Sequence, residues 1–167
     1  MLLKMFIFDV NRYMGKWYEL VHYPSWFQRN DNYNTTAEYS LNDNGTVKVH
    51  NSTITKGQLV ESYGTAKEIS NGKFRVDFDI KEIANVVNTG QFAQYQRNND
   101  DEANYVIDKI WTNKYGDYVF AVVTDNKRNA LYLLSRHQHP TLIDYNDLMT
   151  YISEHYDRDR LVQTPHY

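Results

Sequence analysis

Among the side chains that can do covalent or metal chemistry, this chain offers histidines and carboxylates but no thiols. Its 167 residues include 6 His and 21 Asp or Glu, and no Cys. Thiol catalysis, cysteine-ligated zinc, disulfides and lipid attachment through cysteine are therefore excluded. His137-Gln138-His139 has a spacing that could ligate a metal from a strand, but a site needs further ligands. The pair precedes Pro140 in what reads as a loop, so solvated histidines are expected and no metal is assigned. No nucleophile elbow, His-Glu-x-x-His helix or phosphate-cradling glycine loop is present. The expectation is a protein with no catalytic residues and no cofactor.

What the chain has in quantity is aromatic rings, 15% of residues, with 15 Tyr. Such rings suit a half-buried pleated surface, and they can line an apolar cavity while offering an occasional hydroxyl. The net charge of -3 and the lack of a Lys/Arg cluster among aromatics argue against a nucleic-acid partner. The length fits one domain, 1–167, with room for a sizeable core.

The elements that would position these rings are short alternating runs. Trp17, Glu19, Val21 and Tyr23 share one face by the period-2 rule, and Pro24 closes the first strand. Further strands are expected at 37–41, 47–52, 59–68, 73–79, 104–112, 118–124 and 130–136. Asn42-Asp43-Asn44-Gly45 and Ser70-Asn71-Gly72 carry hairpin chemistry. Eight strands joined in this way predict an all-β, antiparallel up-and-down barrel, which abolishes its own edges. One helix is expected at 141–156: Tyr145, Leu148, Met149, Ile152 and Tyr156 recur at helical spacing, and Thr141 is placed to cap it. That face would pack on the outside of the sheet. A short ninth strand at 160–163 and a tail over 157–167 complete the layout.

Two stretches stand apart from the pattern. Residues 1–12 begin with a short apolar run that is too brief to span a membrane and lacks a signal-cleavage pattern. They read as an N-terminal arm near the barrel base or as the remnant of a leader, and no export address follows. Residues 80–103 have weak periodicity and an acidic end, and loops this long serve as lids or solvated excursions.

The run Gly15-Lys16-Trp17-Tyr18 resembles the first signature of the lipocalin family, Gly-x-Trp-Tyr. Pro24-Ser25-Trp26-Phe27-Gln28 is similar to the bacterial outer-membrane and apolipoprotein D branch, and so is Ala130-Leu131-Tyr132-Leu133-Leu134-Ser135-Arg136, whose final Arg closes the barrel floor. The resemblance covers nearly the whole chain, including strand order and C-terminal helix. The family's middle signature, Thr-Asp-Tyr, is degraded here to Thr112-Asn113-Lys114-Tyr115, and Thr124-Asp125-Asn126 lies one hairpin too late.

The resemblance implies a cup with a plugged floor and an apolar hollow. Gly15, Trp17 and Arg136 would form the floor, with the guanidinium over the indole face. Glu19, on the Trp17 face, would need a partner such as Arg or Lys if buried. Candidate ligand-binding residues are Val21, Tyr23, Tyr39, Val49, Phe74, Val76, Phe78, Ile107, Phe120 and Tyr132, with Trp26 and Phe27 at the mouth as a gate or membrane-touching lip. A small hydrophobic ligand is implied, with fatty acids and lysophospholipids as the analogy, together with peripheral membrane contact and a monomer or homodimer. The family usually works outside the cytoplasm. Two alternatives stay open at this point: a barrel of the same fold acting enzymatically on a lipid-like substrate, and a filled barrel that only binds partners.

Overall fold

The computed structural model describes residues 6–24, 31–79 and 102–167. Eight antiparallel strands form a closed barrel: β1 (Gly15–His22), β2 (Tyr33–Leu41), β3 (Val47–Thr55), β4 (Gln58–Ser70), β5 (Lys73–Phe78), β6 (Tyr105–Thr112), β7 (Tyr118–Thr124) and β8 (Tyr132–Ser135). Each pairs with the next, and β1 pairs with both β2 and β8. Closure through β1 is shared along its length. Gly15 to Tyr18 pair with Tyr39 to Thr36 of β2, whereas Val21 and His22 pair with β9 (Val162–Gln163). The chain end thus covers the edge that β2 leaves open.

The strands run longer than the alternation indicates at β2 and β3, because polar residues pair across them. The Thr35 and Thr53 hydroxyls lie 2.6 Å apart, and those of Thr36 and Ser52 2.8 Å apart. Such cross-strand hydroxyl pairs support a sheet without apolar side chains. Between β5 and β6 the ladder is short, with Lys73 opposite Val106 and Phe74 opposite Tyr105. Asn104 extends it with its side chain: Val76 donates to Asn104 Oδ1 at 2.8 Å, and Asn104 Nδ2 donates back to the Val76 carbonyl at 2.9 Å.

Among the described residues, two α-helices flank the barrel. The single turn α1 (Val10–Tyr13), which the sequence pattern does not signal, is capped by Asp9, whose carboxyl accepts from Asn11 N–H. The longer α2 (Leu142–His155) starts where the Thr141 hydroxyl accepts from Asp144 N–H at 3.1 Å. It lays Leu148, Met149 and Ile152 against Leu20, Val21, Phe120, Val122, Leu131 and Leu133 on the outside of the sheet. A second apolar cluster fills the lower interior, around Phe8, Tyr13, Trp17, Tyr39, Phe74 and Tyr118. The barrel wall therefore separates two cores, one beneath α2 and one inside.

Three bulges decide which side chain joins which core. Glu19 faces Leu134 and Val21 faces Leu133, so Leu20 is an extra residue in β1. Val119 is likewise extra in β7, and Asp108 in β6. A bulge turns every later residue of its strand to the opposite face from the one simple alternation gives.

Candidate functional site

The floor is built first by the chain entering the barrel. Gly15 turns in at φ +100°, a conformation that favours glycine, and a Cβ there would stand 3.2 Å from Arg136 Nη1. Trp17 follows, fully buried, with its indole N–H donating to the Tyr13 carbonyl at 2.8 Å. The Arg136 guanidinium carbon lies 3.8 Å from the Trp17 ring centroid. Its N–H groups donate to the carbonyls of Lys16, Met14, Arg12 and Tyr118, at 2.9, 2.7, 3.1 and 3.3 Å. Burial holds the Arg136 pKa below its ordinary value, yet four carbonyl oxygens suit the rigid donor fork of a guanidinium well.

The arm before β1 completes the floor. Phe8 is buried against Tyr13, Phe74 and Tyr118. Its N–H donates to Asn71 Oδ1, and Asp9 N–H donates to the Tyr118 hydroxyl. Arg12 Nη1 donates to the Gly116 carbonyl at 3.0 Å, tying α1 to the β6–β7 hairpin. In that hairpin Asn113 Oδ1 accepts from the N–H groups of Tyr115 and Asp117. An amide oxygen can cap a tight turn as a carboxylate does, so the degraded Thr-Asn-Lys-Tyr run still makes a formed corner.

Above the floor is a cavity of about 190 Å³. Tyr13, Tyr39, Phe74, Val49, Val76 and Leu134 line its lower part, and Asn32, Thr35, Thr53 and Val60 belong to the end opposite Trp17. Six residues expected inside do line it: Tyr39, Val49, Phe74, Val76, Phe78 and Tyr132. Four others are corrected. Val21 and Tyr23 lie beneath α2 because the Leu20 bulge turns them out, and Phe120 lies there because the Val119 bulge does the same. Tyr23 spends its hydroxyl accepting from Asp157 N–H at 2.6 Å, and Arg160 sits over its ring. Ile107 points inward but packs at the base, where a Cβ on Gly72 would meet both it and Phe8. Trp26 and Phe27 lie outside the described residues, as does 80–101, where most of the expected long loop falls.

Sequence reasoning did not single out Tyr13, Met14, Tyr105 or Leu134 for the cavity wall. Tyr13 comes from the unforeseen α1, whereas Leu134 was available to alternation, two residues after Tyr132 in β8. Tyr105 was available to alternation, sitting two residues before Ile107.

The wall carries two polar groupings. At the lower end the Tyr13 and Tyr105 hydroxyls are 2.5 Å apart, and those of Tyr39 and Tyr105 2.9 Å apart. Burial raises the pKa of Tyr13 and Tyr105 well above the usual phenol value, so both are neutral hydroxyls. On β1, Glu19 lines the cavity and is 4% exposed. Thr164 Oγ1 donates to its carboxyl at 2.6 Å, and His22 Nδ1 lies 3.2 Å from the same oxygen. The backbone bond from Thr164 N–H to the Leu20 carbonyl brings the chain end to this position. His22 Nε2 is buried and has no hydrogen-bond partner among the described residues. Among those residues no group of three or more His, Cys, Asp or Glu could hold a metal ion. His137 Nδ1 and Nε2 make no such grouping with His139; instead the His137 carbonyl accepts from Ser135 Oγ, holding the turn after β8.

Comparison with known proteins adds an independent view of this geometry. Residues 8–166 match the family profile described as a lipocalin-like domain. Temperature-induced lipocalin-1 of Arabidopsis thaliana is 29% identical over 163 residues, spanning 94% of this chain and 78% of that protein. Apolipoprotein D of Bos taurus is 48% identical over 44 residues, covering 26% of this chain and 22% of that one. The crystal structure of the major allergen Per a 4 from cockroaches superposes with a TM-score of 0.62 at 15% identity, covering 100% of this chain and 94% of that one.

Proposed function

This chain belongs to the lipocalin family, and from that premise we propose that it holds one small lipid-like molecule in its barrel and carries or stores it unchanged. Family membership implies binding of a small hydrophobic ligand. The observation that carries the finer reading is the cavity itself, a hollow with mainly apolar walls whose lower lining includes Tyr13, which packs on the buried Trp17. Apolar surface leaving water contributes roughly 25 cal/mol per Å², about 0.8 kcal/mol per methylene. A single alkyl chain or compact ring system would gain several such increments, part of which offsets the cost of ordering the ligand. The proposed contacts are Tyr39, Val49, Phe74, Val76, Phe78 and Tyr132, joined by Tyr13, Tyr105 and Leu134.

Native mass spectrometry of the purified chain, followed by displacement of a neutral fluorophore, tests the reading. A retained small molecule or saturable one-to-one binding is expected. Failure of every lipid class tried to bind saturably would overturn it.

A further inference from the structure

The tyrosine grouping at the floor bears on what kind of molecule the cup accepts, an inference that rests on the carrier reading above. Tyr13, Tyr39 and Tyr105 come from three separate elements, α1, β2 and β6, and all three line the cavity. Their hydroxyls form a chain with Tyr105 in the middle. In each contact either hydroxyl can be the donor, so the Tyr13 hydroxyl, at the end of the chain, keeps either its hydrogen or a lone pair for a further partner. Among the described residues that hydroxyl has no hydrogen-bond partner other than Tyr105.

The charge inventory of the wall sets the second condition. None of the described residues lining the cavity is Lys, Arg or His, and one is Glu19. Arg136 is near, but it lies over Trp17 and its N–H groups are directed at four backbone carbonyls. An anionic head group taken to this depth would lose its hydration without a hydrogen bond from a cationic side chain among the described lining residues, which is more costly than burying a neutral oxygen that is hydrogen-bonded.

We propose that the cup selects a neutral amphiphile, inserted polar end first, whose hydroxyl, able both to donate and to accept, hydrogen-bonds with the Tyr13 end of the Tyr39–Tyr105–Tyr13 hydroxyl chain. Ionised fatty acids are then the poorer cargo, although their tails fit equally well. High phenol pKa values keep the chain a neutral donor throughout the physiological range.

The test uses the full chain and three probes: a neutral apolar fluorophore, dodecanol and dodecanoate, the last at a pH well above its own pKa. The fluorophore is expected to bind, and dodecanol to displace it about tenfold more effectively than dodecanoate. Tyr13→Phe should lower the ratio of dodecanol to dodecanoate affinity about tenfold, as loss of a buried hydrogen bond predicts; because the ratio is taken within one variant, a general change in the shape of the cup does not move it. Equal or tighter binding of dodecanoate, or an unchanged dodecanol-to-dodecanoate ratio in Tyr13→Phe, would overturn the inference and leave the carrier reading standing. No saturable binding of any of the three probes would overturn both.

Discussion

The Arg136 guanidinium carbon stands 3.8 Å from the centre of the Trp17 ring, while the same side chain donates to carbonyls of α1, its C-cap, β1 and β7. One residue after β8 therefore joins the entering chain and β1 to β7, the two strands that flank β8. The cation–π contact contributes about 0.5–2 kcal/mol, and hydrogen bonds from a charged donor about 1.5–3 kcal/mol each at most sites.

Arg136→Ala is expected to cost about 3 kcal/mol, and Arg136→Lys to recover only part of it because an ammonium cannot span the four carbonyls. Urea unfolding measures both. A midpoint unchanged in either variant would show that the floor does not depend on this side chain.

Gly15→Ala should destabilise by about 1–2 kcal/mol, since φ +100° strains any L side chain and the new Cβ crowds Arg136 Nη1 at 3.2 Å. If unfolding midpoints match within error, the turn relaxes more easily than its contacts indicate.

A pH effect follows from the Asp108 bulge. Burial alone would raise its carboxyl pKa, but hydrogen bonds from Tyr156 and Tyr151 and the Arg128 cation outweigh that and hold it below the usual range. The folded state thus binds its proton less readily than the unfolded chain. The associated stability is complete above the unfolded value of about 4 and is lost as pH falls through the lower folded value. Tyr151 behaves oppositely at the alkaline end, where burial first and then Asp108 push its pKa up to about 12. Stability drawn from it is present below about pH 10 and declines towards 12, because the unfolded phenol ionises first. Denaturation midpoints across pH should show both limbs, and Asp108→Asn should flatten the acid limb and lower the Tyr151 titration in ultraviolet absorbance.

The two cores separate binding from stability. Ala66→Leu adds volume at the cavity wall and should weaken ligand binding at least several-fold with a modest stability change. Ile152→Ala removes a fully buried side chain beneath α2 and should cost about 2–5 kcal/mol while leaving affinity intact. Fluorophore titration paired with urea unfolding distinguishes them; a binding loss in Ile152→Ala alone would place the ligand under the helix instead.

Much of the architecture was already readable in the chain. Turn chemistry and alternation located the eight strands, and the 3.6-residue recurrence of Leu148, Met149 and Ile152 located the helix with its buried face. Gly15, Trp17 and Arg136 carried the family resemblance at opposite ends of the sequence. These features are local, or need only a matched pattern, because turn geometry and period are set by neighbouring residues.

Tertiary structure alone decided which side of the wall each strand residue faces. Val21 and Tyr23 have the right spacing from Trp17 to lie inside, and Leu20 cancels it; Val119 does the same for Phe120. A bulge is a property of two paired strands, one carrying a residue more than the other, so no single strand reveals it. The meeting of Tyr13, Tyr39 and Tyr105 is of the same kind, since barrel closure brings together hydroxyls 66 and 92 positions apart in the chain.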